Sequence, residues 1–219
     1  NAATTQKPLC VIQAESAFYE KYNANPFRGV YELAEFATEH YEEARAAVAE
    51  LLHANTDEIV FTRNASESLN LIAYSLGNLV LRPGDEVLVS IMEHHSNLLV
   101  WQQAAKRTGA TLRYLDCTQD GKITAEMVEA AITDKTKVLI LPFPNNPTGA
   151  IMEKEDLEAI AKVIAKHDIY VMSDEIYAAL TYKGEHISIA NIDGMKDRTL
   201  LINGFSKAYA MTGWRLGYA

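Results

Sequence analysis

The sequence predicts an α/β fold: a mainly parallel sheet with helices on both faces, in three layers. Two observations carry this. Short apolar runs alternate with amphipathic stretches of ten or more residues, which is the pattern of right-handed crossovers between parallel strands. Lys137–Leu141 (KVLIL) and Ile169–Ser173 (IYVMS) are continuously apolar, as expected for strands covered on both faces. The chain has 219 residues, 48 % of them hydrophobic, enough for one large domain with a substantial core.

In chain order, Tyr31–His53 is rich in Ala, Glu and Leu and reads as a long amphipathic helix. Glu58–Thr62 reads as a strand and Ala65–Leu79 as the helix after it. Arg82-Pro83-Gly84-Asp85 is a turn, followed by a strand at Glu86–Ser90. Leu98–Thr108 reads as a helix closed by Gly109, and Thr111–Leu115 as a strand. Thr124 is the expected N-cap of a helix reaching Ile132. Beyond the Lys137–Leu141 strand come a helix at Glu153–His167, the strand Ile169–Ser173 and a last strand at Thr199–Asn203.

Composition narrows the function classes. A net charge of −9 argues against a nucleic-acid-binding face. No apolar run approaches the ~18 residues that cross a bilayer, and no basic-then-apolar leader opens the chain. Cys10 and Cys117 form no CxxC pair, and the histidines show no ligand spacing, so no metal is expected. Few cysteines and no targeting signal give a cytoplasmic expectation. The first residue is Asn1 rather than Met, so a trimmed or partial chain is expected.

In parallel sheets, ligands bind beyond the carboxyl ends of the strands. Four groups of residues fall there. Arg63-Asn64-Ala65-Ser66-Glu67 follows the first strand, and Pro144-Asn145-Asn146-Pro147-Thr148-Gly149 follows Lys137–Leu141. Asp174-Glu175-Ile176-Tyr177 follows Ile169–Ser173. Gly204-Phe205-Ser206-Lys207 follows Thr199–Asn203, with Arg215 shortly after. Singly, each has an ordinary alternative: a solvated lysine, an aspartate N-cap, a turn. Together they meet the needs of pyridoxal 5′-phosphate (PLP). Its aldehyde needs a lysine (Lys207), and its ring nitrogen needs a carboxylate (Asp174). Its phenolate oxygen needs amide or hydroxyl donors (Asn146, Tyr177). Its phosphate needs a helix N-terminus, hydroxyls and an arginine (Ala65, Ser66, Ser206, Arg215).

At these residues the sequence resembles fold-type-I PLP enzymes, and the resemblance implies the large-domain fold of those transferases. Residues 135–219, through PNNPTG (144–149), SDEIY (173–177) and GFSKAYAMTGWRLGYA (204–219), resemble class I/II aminotransferases. That implies a Schiff base on Lys207, which also moves the substrate proton. It also implies Asp174 on the pyridine nitrogen, Asn146 and Tyr177 on the phenolate oxygen, and Ser206 and Arg215 on the phosphate. Residues 1–134 instead resemble class V cysteine desulfurases, through NAATTQKP (1–8), FRGVYELAEFATEHYEEAR (27–45), EIVFTRNASESLNLIAYS (58–75) and MEHHSNLLVWQ (92–102). There the resemblance implies that His94 stacks on the ring and that Ala65 and Ser66 hold phosphate; a solvated polar loop is the ordinary alternative for His94. Where that family has Gly-Thr-Thr this chain has Asn64-Ala65-Ser66, so a weaker phosphate grip is expected.

The chain therefore reads as a splice of two branches joined near residues 134–143, natural or engineered, with the family's C-terminal small domain absent. By resemblance it is a homodimer. The expected activity is amino-group transfer between an amino acid and a 2-oxo acid. Cysteine desulfuration, or a PLP-binding domain impaired in turnover, stands as the alternative. Ser206 favours transfer, because desulfurases carry a histidine before the lysine.

Overall fold

The computed structural model describes residues 5–219; the start of the 1–8 stretch lies outside it. A seven-stranded sheet runs in the order β1-β7-β6-β5-β4-β2-β3. Its parallel part consists of β2 (Glu86–Ser90), β3 (Thr111–Leu115), β4 (Thr136–Leu141), β5 (Tyr170–Asp174) and β6 (Thr199–Gly204). Two short strands, β1 (Phe61–Thr62) and β7 (Gly217–Tyr218), extend it antiparallel beyond β6.

Alternate side chains of each strand enter opposite cores, as the two-residue repeat requires. Val87, Val89, Val138, Ile140, Met172 and Ile202 pack against helices α3 (Ala65–Val80) and α4 (His95–Thr108). Leu88, Leu139, Leu141 and Val171 face α5 (Ala125–Ala131) and α6 (Lys154–Ile164). The three expected layers are present. A smaller cluster joins α2 (Glu32–Leu52) to the β1–β7 edge through Val48, Ala49, Ile59 and Tyr218. Thr124 caps α5 through its side chain, and Gly109 ends α4 with φ 75°, the left-handed geometry a glycine adopts cheaply.

Several boundaries differ from expectation. Glu58 and Asn55 form a reciprocal capping box around a 3-10 turn at Thr56–Glu58, which delays the strand expected at Glu58–Thr62 to Phe61. Helix α4 starts at His95 rather than Leu98, because His94 itself caps it. Helix α6 stops at Ile164, short of His167. Strand β5 runs one residue further, so Asp174 is its last residue. An N-terminal helix, α1 (Leu9–Ala17), was not expected; it buries no side chain and so lacks the apolar stripe that reveals a packed helix. Short β7 was likewise not expected.

Candidate active site

The carboxyl ends of β2, β4, β5 and β6 open on one cavity of about 300 Å³, at the lower end of small-molecule pockets. All nine residues singled out from the sequence line it: Ala65, Ser66, His94, Asn146, Asp174, Tyr177, Ser206, Lys207 and Arg215. The loop after β4 carries cis Phe143–Pro144 and Asn146–Pro147 peptides. It brings the Asn146 amide to the Tyr177 hydroxyl, Nδ2 donating at 3.2 Å. Lys207, in the short helix α7 (Phe205–Ala208), holds its Nζ 5.7 Å from the Tyr177 ring centroid.

Asp174 lies at the cavity wall, surrounded otherwise by protein. Burial raises its carboxyl to about 6, opposed by the Ile176 N–H that donates to Oδ1 at 3.2 Å and assisted by the charge of Glu175. Glu175 turns the other way, into the core. Its carboxylate takes Ser173 Oγ at 2.9 Å, Ser188 Oγ at 2.6 Å and His186 Nε2 at 2.8 Å. This buried cluster ties the end of β5 to the segment that follows and so fixes where Asp174 points.

At the start of α3 the cavity presents groups whose chemistry suits an anion. Asn64 caps α3, its Oδ1 accepting the Glu67 N–H at 2.9 Å and its carbonyl the Ser68 N–H. The N–H groups of Ala65 and Ser66 take no partner among the described residues, and Ser66, Ser206 and Arg215 stand around them. Arg215 sits at φ 58°, an uncommon conformation for a residue with a Cβ, and donates Nη1 to the Thr212 carbonyl at 2.6 Å. Close packing of β7 makes this end possible. A Cβ on Gly217 would come within 2.9 Å of Asn64 Cα, and one on Gly204 within 2.9 Å of Gly217 Cα.

His94 closes a side wall, its ring stacked on His95 at 4.3 Å. Its Nδ1 accepts the Ser96 N–H at 3.2 Å and lies 2.6 Å from Ser96 Oγ. A backbone N–H can only donate, so the neutral ring carries its proton on Nε2. Burial, then the neighbouring charges of His95 and Lys207, lowers the His94 pKa and favours that neutral ring.

Glu93, not among the residues expected from the sequence, also lines the cavity. The signal was available: it is an acidic residue just past the apolar β2 strand, where the strand-end rule applies. Among the described residues, no group of three His, Cys, Asp or Glu side chains is suited to a metal, and no helix is long and apolar enough to cross a membrane.

The residues fit PLP on their own chemistry. A primary amine, a buried carboxylate, an amide–phenol pair and a helix-terminal anion cradle surround one small cavity.

Comparison with known proteins agrees with that chemistry. The family "Aminotransferase class-V" matches residues 1–193, running through the expected junction at 134–143. A probable cysteine desulfurase of Halalkalibacterium halodurans is 42 % identical over 180 residues, 82 % of this chain and 44 % of that protein. Aspartate aminotransferase of Thermus thermophilus, solved with maleate, superposes with a TM-score of 0.80 at 33 % identity, covering 99 % of this chain and 54 % of that one. The apo cysteine desulfurase of Thermococcus onnurineus also gives 0.80, at 31 % identity, covering 100 % of this chain and 51 % of that one. The chain thus spans about half the length of the relatives it matches. It belongs to the class-V aminotransferase family of fold-type-I PLP enzymes and is homologous to aminotransferases and cysteine desulfurases alike.

Proposed function

We propose that this chain binds PLP through Lys207 and serves proton chemistry at the α-carbon of an amino acid. One observation carries the reading: Lys207, Asp174 and the Asn146–Tyr177 pair share a single cavity with the N-terminus of α3. When bound, PLP supplies an aldehyde for amines and a protonated ring that draws electrons from the substrate carbon. Asp174 holds the proton on the ring nitrogen. The Asn146 Nδ2 and the Tyr177 hydroxyl hold the ring oxygen. The Ala65 and Ser66 N–H groups, the Ser66 and Ser206 hydroxyls and Arg215 hold the phosphate. The flat face of His94 covers the ring and excludes water. Lys207 would hold the aldehyde, and its amine would move the proton at the α-carbon.

Two reactions follow from that arrangement. Ser206 directly before Lys207 supports amino-group transfer between an amino acid and a 2-oxo acid. A neutral His94 bearing Nε2–H, and the 42 % identity to a desulfurase, support release of alanine from cysteine with sulfur passing to a thiol acceptor. Wider similarity lies with this second reading, although neither Cys10 nor Cys117 lines the cavity. The working unit proposed is a homodimer.

The test is an absorbance spectrum with PLP, before and after a panel of amino acids that includes cysteine. A yellow species that borohydride traps in wild type and not in Lys207→Ala is expected. A colourless protein sinks the reading. Alanine and sulfide formed from cysteine without a 2-oxo acid select desulfuration; dependence on a 2-oxo acid selects transfer.

A further inference from the structure

Glu93, Asn97 and Trp101 recur every fourth residue, so they share one face of α4 and the turn leading into it. Among the described residues, every buried side-chain nitrogen or oxygen without a hydrogen-bond partner belongs to these three: Glu93 Oε2, both amide atoms of Asn97, and Trp101 Nε1. Such atoms are costly to leave unmade and mark places with a job beyond packing. The stripe begins at the cavity, where Glu93 stands beside the Asp174 end of β5.

Glu93 Oε1 accepts the His94 N–H at 3.1 Å, while Oε2 is shut away from water. An ionised carboxylate with an unpartnered oxygen in that position is expensive; a carboxylic acid there becomes a donor. The titratable and charged groups lining the same cavity are His94 beside it, Asp174 on β5, Tyr177 after β5, Lys207 and Arg215. Burial, then the charge of Asp174, pushes Glu93 up to about 8; the Asn97 amide lies near enough to oppose this without reaching hydrogen-bond geometry.

We propose that Glu93 is a positioning residue that stands as a neutral acid: its Oε1 holds the His94 N–H, and its lack of charge leaves Asp174 as the one carboxylate charge offered to a ring nitrogen. Its role toward the ring rests on the reading that Asp174 meets that nitrogen. Two carboxylates lining one small cavity cannot both ionise cheaply, and a neutral Glu93 leaves one negative charge for one pyridinium charge.

The first arm of the test needs no cofactor. Urea midpoints of the PLP-free chain are measured from pH 5 to 9. The wild-type midpoint is expected to fall between pH about 6 and about 8, and E93Q to flatten that stretch. D174N is expected to flatten the part below about 6 and, by removing a charge that raises Glu93, to move the upper end of the fall to lower pH. An equal wild-type and E93Q slope between those values overturns the proposal, because Glu93 is then ionised in the folded chain.

The second arm is PLP titration by fluorescence quenching. Glutamine keeps a neutral acceptor for the His94 N–H, so E93Q should hold affinity to within about threefold, while E93L loses about tenfold. E93Q failing as badly as E93L, or E93L binding as wild type does, overturns the role. A wild type that shows the pH slope but binds no PLP overturns the cofactor reading and the role toward the ring, leaving Glu93 protonation decided by the slope. Should E93L not fold, the E93Q slope still decides.

Discussion

Asp174 illustrates how a site residue is held at a cost. Its folded pKa of about 6 stands above the ordinary 3.8. Between those values the folded carboxyl keeps a proton that the unfolded chain has lost. The unfolded chain thus binds fewer protons, and stability falls as pH rises through that window. The contribution is present in full below pH 3.8 and is gone above about 6, an effect on the order of 3 kcal/mol. D174N removes it. The variant is expected to be more stable than wild type in urea at pH 7.5, with the difference vanishing near pH 4, and to lose PLP affinity in a fluorescence titration. A less stable D174N at pH 7.5 contradicts the assignment. Residue identities at the strand ends were legible in the sequence because chemistry there overrides packing: lysine, aspartate and arginine have no structural reason to cluster. Glu93 was half legible: its place past β2 follows from the strand-end rule, but its unpartnered oxygen shows only in the packing of α4 against the sheet.

Elements bring those residues together, and the junction of β7 with α3 is the tightest of them. Gly204 and Gly217 face each other across β6 and β7, and Gly217 lies against the backbone of Asn64 and Ala65. G217A places a methyl group 2.8 Å from Asn64 C, so the start of α3 must move. A loss of about 2 kcal/mol in urea unfolding is expected, together with weaker phosphate-dependent PLP binding. N64A, which deletes only the cap, should cost about 1 kcal/mol. If G217A costs no more than N64A, the close approach is not structural. Helix α3, strand β2 and strand β3 were legible in the sequence because periodicity, caps and turns agree there. The β1–β7 edge was not. Two-residue strands carry no periodicity, and the Asn55–Glu58 capping box takes Glu58 into a turn, leaving Ile59 and Val60 extended ahead of Phe61.

At the scale of the molecule, the two stretches that resemble different branches share one interior. Leu88, Leu115 and Val128 pack with Leu139, Ile160 and Val171 on one face of the sheet, and Leu69, Val87 and Trp101 with Val138, Met172 and Ile202 on the other. Strand β4, at the junction, pairs with β2 on one side and β5 on the other, so neither stretch closes a core alone. The N-terminal segment behaves differently. Helix α1 buries none of its residues, and Leu9, Tyr19, Phe27 and Val30 are exposed at 66, 66, 60 and 95 %. Clustered exposed apolar side chains of this kind mark surfaces that meet a partner. They are where the proposed homodimer should draw part of its interface, while contributing little to the fold of one chain. Removing residues 1–21, which spares the Tyr22 ring stacked on Phe36 at 4.1 Å, is therefore expected to leave the urea midpoint of a dilute sample nearly unchanged. In light scattering after size exclusion, the intact chain should run as a dimer at micromolar concentration and the shortened chain as a monomer. Equal masses for the two assign the interface elsewhere. A large drop in the midpoint without a change in mass makes the segment part of the monomer's own core, against the exposure seen at Leu9 and Tyr19.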